Sequence, residues 1–139
     1  MSVSKNKEIT IMAKMEGLAH VGLFIKDLER TVKFYEEILD FKTIERTQVE
    51  DMKIAFLKNG DLIIEVVQPS TPPERGDGWF DHIAFKCTDI AGVRDKLLAK
   101  GIEFEDKEIY NAPQVFPNGA KWILFRGPDN EHLELNEVL

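Results

Sequence analysis

From Leu18 onward the apolar positions of the chain alternate. In LAHVGLFI, Val21, Leu23 and Ile25 share one face while His20, Gly22 and Phe24 share the other, the period of a half-buried β-strand. Asp27 follows, and Leu28, Val32, Tyr35 and Leu39 then recur at helical spacing. An aspartate just before such a stripe can accept an unpaired backbone N–H of the first turn, so the pattern predicts a helix capped by Asp27 and ended at Asp40-Phe41. Three short runs come next, Thr43 to Val49, Lys53 to Leu57 and Leu62 to Val67, with Asn59-Gly60 as a hairpin-turn pair between the last two. The predicted order is strand, helix, three strands.

Pro69, Pro72, Pro73, Gly76 and Gly78 remove donors and favour turns, so residues 69–78 read as a linker. After it the first pattern returns. FDHIAFKCTDI lies on LAHVGLFIKDL without a gap, matching His82 to His20, Asp89 to Asp27 and Ile90 to Leu28 at one constant offset. Ile90, Val93, Leu97 and Leu98 give a second helix its apolar face, and Gly101 supplies its left-handed stop. Strands are predicted at Ile102 to Ile109, Lys121 to Phe125 and His132 to Val138, with Pro128-Asp129-Asn130 as the last turn. The chain is thus an α+β domain of two repeated modules, about 16–68 and 79–139. Met1 to Met15 show no period and read as a flexible extension, with Met12 or Met15 nearer the functional start.

A module of about 60 residues cannot bury both faces of its small sheet, so two modules must close against each other or against a second chain. Helices cover one face of each sheet, and the other face lines a cup. In each module a histidine lies on the first strand and a glutamate on the last, His20 with Glu65 and His82 with Glu134. On each of these strands the smooth apolar set takes the opposite face, which turns all four polar side chains to the shared cup face. An inward carboxylate among apolar neighbours, as Glu65 is between Ile63 and Val67, needs a cation or hydrogen-bonding partner to replace its lost hydration. Two imidazoles and two carboxylates suit one divalent metal, Zn, Ni, Co, Mn or Fe, with positions left for water or substrate. A paired Glu–His network without metal is the structural alternative.

Composition narrows the function. The 139 residues, 43% hydrophobic and 31% charged, fit one globular domain with a real core, and no apolar run is long enough to span a bilayer. Cytoplasm is the default location. The net charge of −7 disfavours nucleic acid and anionic membranes, which leaves a small molecule as the expected partner. The single cysteine, Cys87, points to the helix side as a small core residue.

Over Leu18 to Leu139 the sequence resembles the vicinal oxygen chelate superfamily, also called the glyoxalase/bleomycin resistance/dioxygenase superfamily. HVGLFIKDLERTVKFYEEILDF resembles its opening strand and helix, DHIAFKCTDI its second opening, and GPDNEHLELNE its closing turn and strand. The resemblance implies paired βαβββ modules, usually in a homodimer, with a metal shared by modules of one chain in some members and of two chains in others. The metal positions fall on His20, Glu65, His82 and Glu134. By analogy with glyoxalase I it implies a lyase or isomerase in which the metal acidifies a C–H beside a carbonyl, with Glu134 as the first candidate base and Glu65 the second. Alternatives in the same superfamily are a methylmalonyl-CoA-type epimerase, a thiol-transferring resistance enzyme and a ring-cleaving dioxygenase; a non-catalytic binding protein is the alternative of another class. Where glutathione-using relatives place an arginine this chain has Phe24, an apolar wall of the pocket or ordinary core, and Asp40 stands at a frequent glycine position. Phe116, in the loop Tyr110 to Ala120, is a candidate to close over a ligand, Lys121 to meet an anionic group, and His132 to donate near the cup. Trp79 and Phe80 either line the pocket or anchor the linker.

Overall fold

The computed structural model describes residues 13–74 and 76–139, so nearly all of the expected extension, Met12 included, lies outside the described residues. The first module runs β1 (Val21–Phe24), α1 (Leu28–Glu37), β2 (Lys42–Val49), β3 (Met52–Asn59) and β4 (Leu62–Gln68). The second runs β5 (Ile83–Lys86), α2 (Ile90–Ala99), β6 (Tyr110–Ala112), β7 (Ala120–Arg126) and β8 (His132–Val138). Each forms a mixed four-stranded sheet, ordered β1-β4-β3-β2 and β5-β8-β7-β6, in which the opening strand pairs parallel with the closing one. The expected α+β pair of βαβββ modules is the observed architecture.

Both helices begin in the same way, and that start ties each to its closing strand. Asp27 caps α1 by accepting from the Arg30 N–H, and Asp89 caps α2 by accepting from the Gly92 N–H. The first free N–H of each helix goes to the closing strand: Leu28 N donates to Gln68 Oε1 at 2.7 Å and Ile90 N to Glu137 Oε1 at 3.0 Å. Gln68 and Glu137 therefore face the helices, and by strand alternation Glu65 and Glu134, three residues earlier, face away from them. Asp40 adopts a left-handed φ of 60° just after α1, and Gly101 one of 91° after α2, as their positions implied.

Leu28, Val32 and Tyr35 of α1 bury against Ala55, Leu57, Ile64 and Val66 of the first sheet, while Ile90 and Leu97 of α2 bury against Ile123, Phe125, Leu133 and Leu135 of the second. Phe34, Leu39, Ile83 and Phe85 pack against both clusters, so the modules meet through their helix-bearing sides. Polar contacts reinforce that seam. Thr31 Oγ1 donates to Asp129 Oδ2 at 3.1 Å, Tyr35 OH to Glu131 Oε2 at 2.9 Å, and Lys100 Nζ to the Glu37 carbonyl at 3.0 Å. Burial pushes the Tyr35 hydroxyl well above the usual phenol range, aided by the neighbouring Glu131 charge, and burial likewise raises the Glu131 carboxyl.

Three local expectations are corrected. Residues 102–109 form no strand beyond a single bridge from Phe104 to Phe125. Ile102, Phe104 and Ile109 plug the second core one by one, and the charged run Glu105 to Glu108 between them stays outside. The β3–β4 hairpin turns on Gly60-Asp61, with Asn59 still paired to Leu62. Lys121 shares parity with buried Ile123 and Phe125 and is registered with Glu137, which places it on the helix side of its sheet, not the face of Glu134.

Candidate metal centre

Each module brings its histidine and glutamate together across the parallel strand pair. In the first, Gly22 is registered with Glu65, and His20 Nε2 lies 3.7 Å from Glu65 Oε1. A Cβ on Gly22 would stand 3.7 Å from the same oxygen, an ordinary van der Waals contact, and the corresponding residue of the second module is Ala84. Phe56, registered with Glu65, sets its ring edge-to-face against His20 with centroids 5.7 Å apart. In the second module Ala84 is registered with Glu134, and His82 Nε2 lies 3.3 Å from Glu134 Oε2.

Two donors bound to one ion at about 2.1 Å, with an angle of about 90–110° between them, stand roughly 3.0–3.4 Å apart. The observed separations of 3.3 and 3.7 Å fit two adjacent coordination positions with little adjustment. Neither pair is a full site. Among the described residues, the group of three or more potential donors within reach of one ion is Asp77, Asp81 and His132, which includes none of the four. Because the modules pack helix side to helix side, the chain does not bring its two donor-bearing faces together.

The pairs also differ in their support. The Glu134 side chain is 8% exposed, and Asn136 Nδ2 donates to its Oε1 at 2.8 Å; the Glu65 side chain is 26% exposed. Asp81 Oδ2 lies 2.9 Å from His82 Nδ1, a bond that holds the Asp81 carboxyl below its usual range. The His132 side chain, at the start of β8, is 11% exposed. Its ring sits edge-to-face on His82 with centroids 6.1 Å apart, its Nδ1 is 3.4 Å from Asp81 and its Nε2 is 3.2 Å from Glu105. Those distances allow ion pairing by a protonated ring, although neither nitrogen is aligned for a hydrogen bond. Arg126 closes the network, its Nε donating to Glu105 at 2.7 Å and its Nη2 to Asp77 at 2.9 Å, which lowers the Asp77 carboxyl.

The aromatic candidates from the sequence are exposed. Phe24 lies on the His20 face, half exposed. Phe116 stands out in the β6–β7 connection at a φ of 57°. Trp79 and Phe80, just before His82, are fully exposed and neither line a pocket nor pack down the linker within the chain. Asp81, Asn136, Glu105 and Arg126 join the site without having been expected there. The signal for Asp81 is its place beside His82, but adjacent strand residues point to opposite faces, and only the start of β5 at Ile83 frees both to converge.

Residues 17–135 match the sequence profile of the Glyoxalase/Bleomycin resistance protein/Dioxygenase superfamily. The chain belongs to this superfamily. Among its relatives, the fosfomycin resistance protein FosX of Mesorhizobium japonicum is 30% identical over 127 residues, 88% of this chain and 86% of its own. The crystal structure of a glyoxalase family protein from Enterococcus faecalis superposes with a TM-score of 0.72 at 26% identity, covering 88% of this chain and 98% of that one. FosX of Listeria monocytogenes, solved with Mn(II) and sulfate, shares the fold with a TM-score of 0.67 at 23% identity over 91% of this chain and 95% of its own. No helix among the described residues of this chain is long and apolar enough to cross a membrane.

Proposed function

We propose that this chain is a divalent-metal-dependent enzyme acting on a small oxygenated substrate by metal-assisted proton transfer, glyoxalase-like in mechanism. Its metal is held by His20 and Glu65 of one copy with His82 and Glu134 of a second, in a homodimer with two such sites. The observation that carries this reading is the pair of repeat-related His–Glu half-sites, each at ligand spacing and each without a third donor in its own chain among the described residues. The fully exposed Trp79-Phe80 pair beside His82 adds apolar surface that a second copy would cover.

When bound, the metal supplies a Lewis acid that stabilises negative charge developing on substrate oxygen. Around it, Glu134 is pinned by Asn136 and largely buried, which suits a ligand, whereas Glu65 is more exposed and less restrained, which suits a group that takes and returns a proton. The resemblance names Glu134 first as base; the geometry favours Glu65. Ile63, Val67 and Phe56 share the Glu65 face and give the pocket an apolar floor, and Phe24 extends it where a carboxylate-binding arginine would stand in glutathione-using relatives. A second reading, resistance-type chemistry on fosfomycin itself, is favoured by the identity to the Mesorhizobium FosX along most of both chains.

Mixing two inactive variants tests the shared site. The chain with His20→Ala and Glu65→Ala and the chain with His82→Ala and Glu134→Ala each form homodimers without a complete site. After subunit exchange at equal amounts, about half the dimers are mixed and each carries one intact site, so metal analysis should find about one quarter of the wild-type metal per chain. Recovery of none, with exchange verified, overturns the shared site. Turnover of hemithioacetals, acyl-CoA thioesters and fosfomycin by the Mn(II)-loaded wild type then separates the substrate classes.

A further inference from the structure

The two half-sites are related by the repeat but are not equally built. Where Asp81 precedes His82, Ala19 precedes His20; where Asn136 follows Glu134 by two residues, Val67 follows Glu65. The second half-site has acquired a partner for each donor and the first has neither.

We infer that Asp81 is a positioning residue that fixes the ring of His82, making the second half-site the preorganised one, on which the metal is first captured. This inference rests on the metal-centre reading above. The Asp81 carboxylate takes the Nδ1 side of the ring at 2.9 Å, which turns Nε2 toward Glu134 Oε2 at 3.3 Å. With Nδ1 protonated and donating, Nε2 is the nitrogen left to bind a metal. His132 lies beside the same Oδ2 at 3.4 Å, with its other nitrogen 3.2 Å from Glu105, which Arg126 grips at 2.7 Å. His132 also meets the His82 ring edge-to-face, so two neighbours limit the tilt of that ring. A metal at the converging Asp77, Asp81 and His132 would have to compete with Arg126 for Asp77 and with His82 for Asp81.

The test has a metal-free and a metal-binding arm. Long-range 1H–15N spectra of the metal-free wild type should show His82 protonated on Nδ1, a preference lost in Asp81→Ala. Calorimetric titration with Mn(II) should give an affinity about 10- to 100-fold weaker in Asp81→Ala than in wild type, with the melting temperature of the metal-free protein unchanged. Asp81→Asn, whose Oδ1 can still accept the bond, should bind closer to wild type than to Asp81→Ala. An unprotonated Nδ1 in the wild type, an unchanged affinity in Asp81→Ala, or an Asn variant no better than Ala overturns the inference while the metal centre stands. Failure of wild-type protein to bind Mn(II), Zn(II), Ni(II), Co(II) or Fe(II) overturns both.

Discussion

Replacing Tyr35 with Phe removes one atom from the seam between the modules. The Tyr35 ring is completely buried and meets Phe34 and Phe41 edge-on at 5.4 and 5.3 Å, contacts that a phenylalanine keeps. The loss is therefore confined to the hydroxyl and its 2.9 Å bond to Glu131 Oε2. A hydrogen bond to a charged group is worth about 1.5–3 kcal/mol, and removing the donor leaves a largely buried carboxylate oxygen without that partner. Glu131 keeps the Asp129 N–H on its other oxygen at 2.8 Å, which argues for the lower half of that range. The expected destabilisation is about 1.5–2 kcal/mol, or roughly 3–8 °C in melting temperature for a domain of this size. Urea unfolding of Tyr35→Phe beside wild type measures it, and a double-mutant cycle with Glu131→Gln assigns it to the pair. A loss below about 0.5 kcal/mol, or no coupling in the cycle, would show that water serves both groups as well in the unfolded chain and that the seam owes nothing to this bond.

The same carboxylate makes a pH signature. Burial raises the Glu131 pKa above its ordinary 4.5, so its contribution to stability is complete below that value and is lost as pH rises through the higher folded value. Wild type should gain more stability than Glu131→Gln on going from about pH 7 to about pH 5 in paired urea titrations, and an equal gain would refute the assignment. Glu65→Gln should weaken Mn(II) binding on calorimetry less than Glu134→Gln does, yet lose about 100-fold or more in turnover of the Mn(II)-saturated protein, the cost typical of a missing base; retention of turnover by Glu65→Gln would return the base to Glu134. Phe24→Arg should raise kcat/KM for glutathione hemithioacetal about 10- to 100-fold by restoring a charge-assisted carboxylate contact, and efficient turnover by the wild type would remove the reason for the change.

The repeat, both helix caps and the parity of the donor strands were legible because each is a local rule: Asp27 and Asp89 cap because a helical stripe begins at the next residue, and Ile64 or Leu133 buries because its strand neighbours alternate with it. The pairing of His20 with Glu65 and of His82 with Glu134 came from the repeat alone. What the pattern could not carry was long-range. Ile102, Phe104 and Ile109 have strand-like spacing, yet each is claimed by a different part of a core built elsewhere in the chain. Lys121 changes meaning with its register against Glu137, which no local pattern sets. The separation of the donor pairs depends on which sides of the modules meet, decided by shared contacts such as Phe34 and Phe85. Asp81 lies just outside β5, where strand alternation does not set the direction of a side chain.

The parallel pairing of each opening strand with its closing strand makes the donor spacing a matter of reading frame. Val21 faces Ile64 and Ile83 faces Leu133, so one inserted residue between His20 and Val21 would shift the histidine out of step with Glu65 while leaving every apolar contact of β1 available. A two-residue insertion would keep the side but move the ring about 6–7 Å along the strand, beyond any shared ion. These short segments can drift in composition, but their length is locked. The outer connections, such as the Gly60-Asp61 turn or residues 113–119, bear no such constraint, and variation in chain length among functional relatives should be found there.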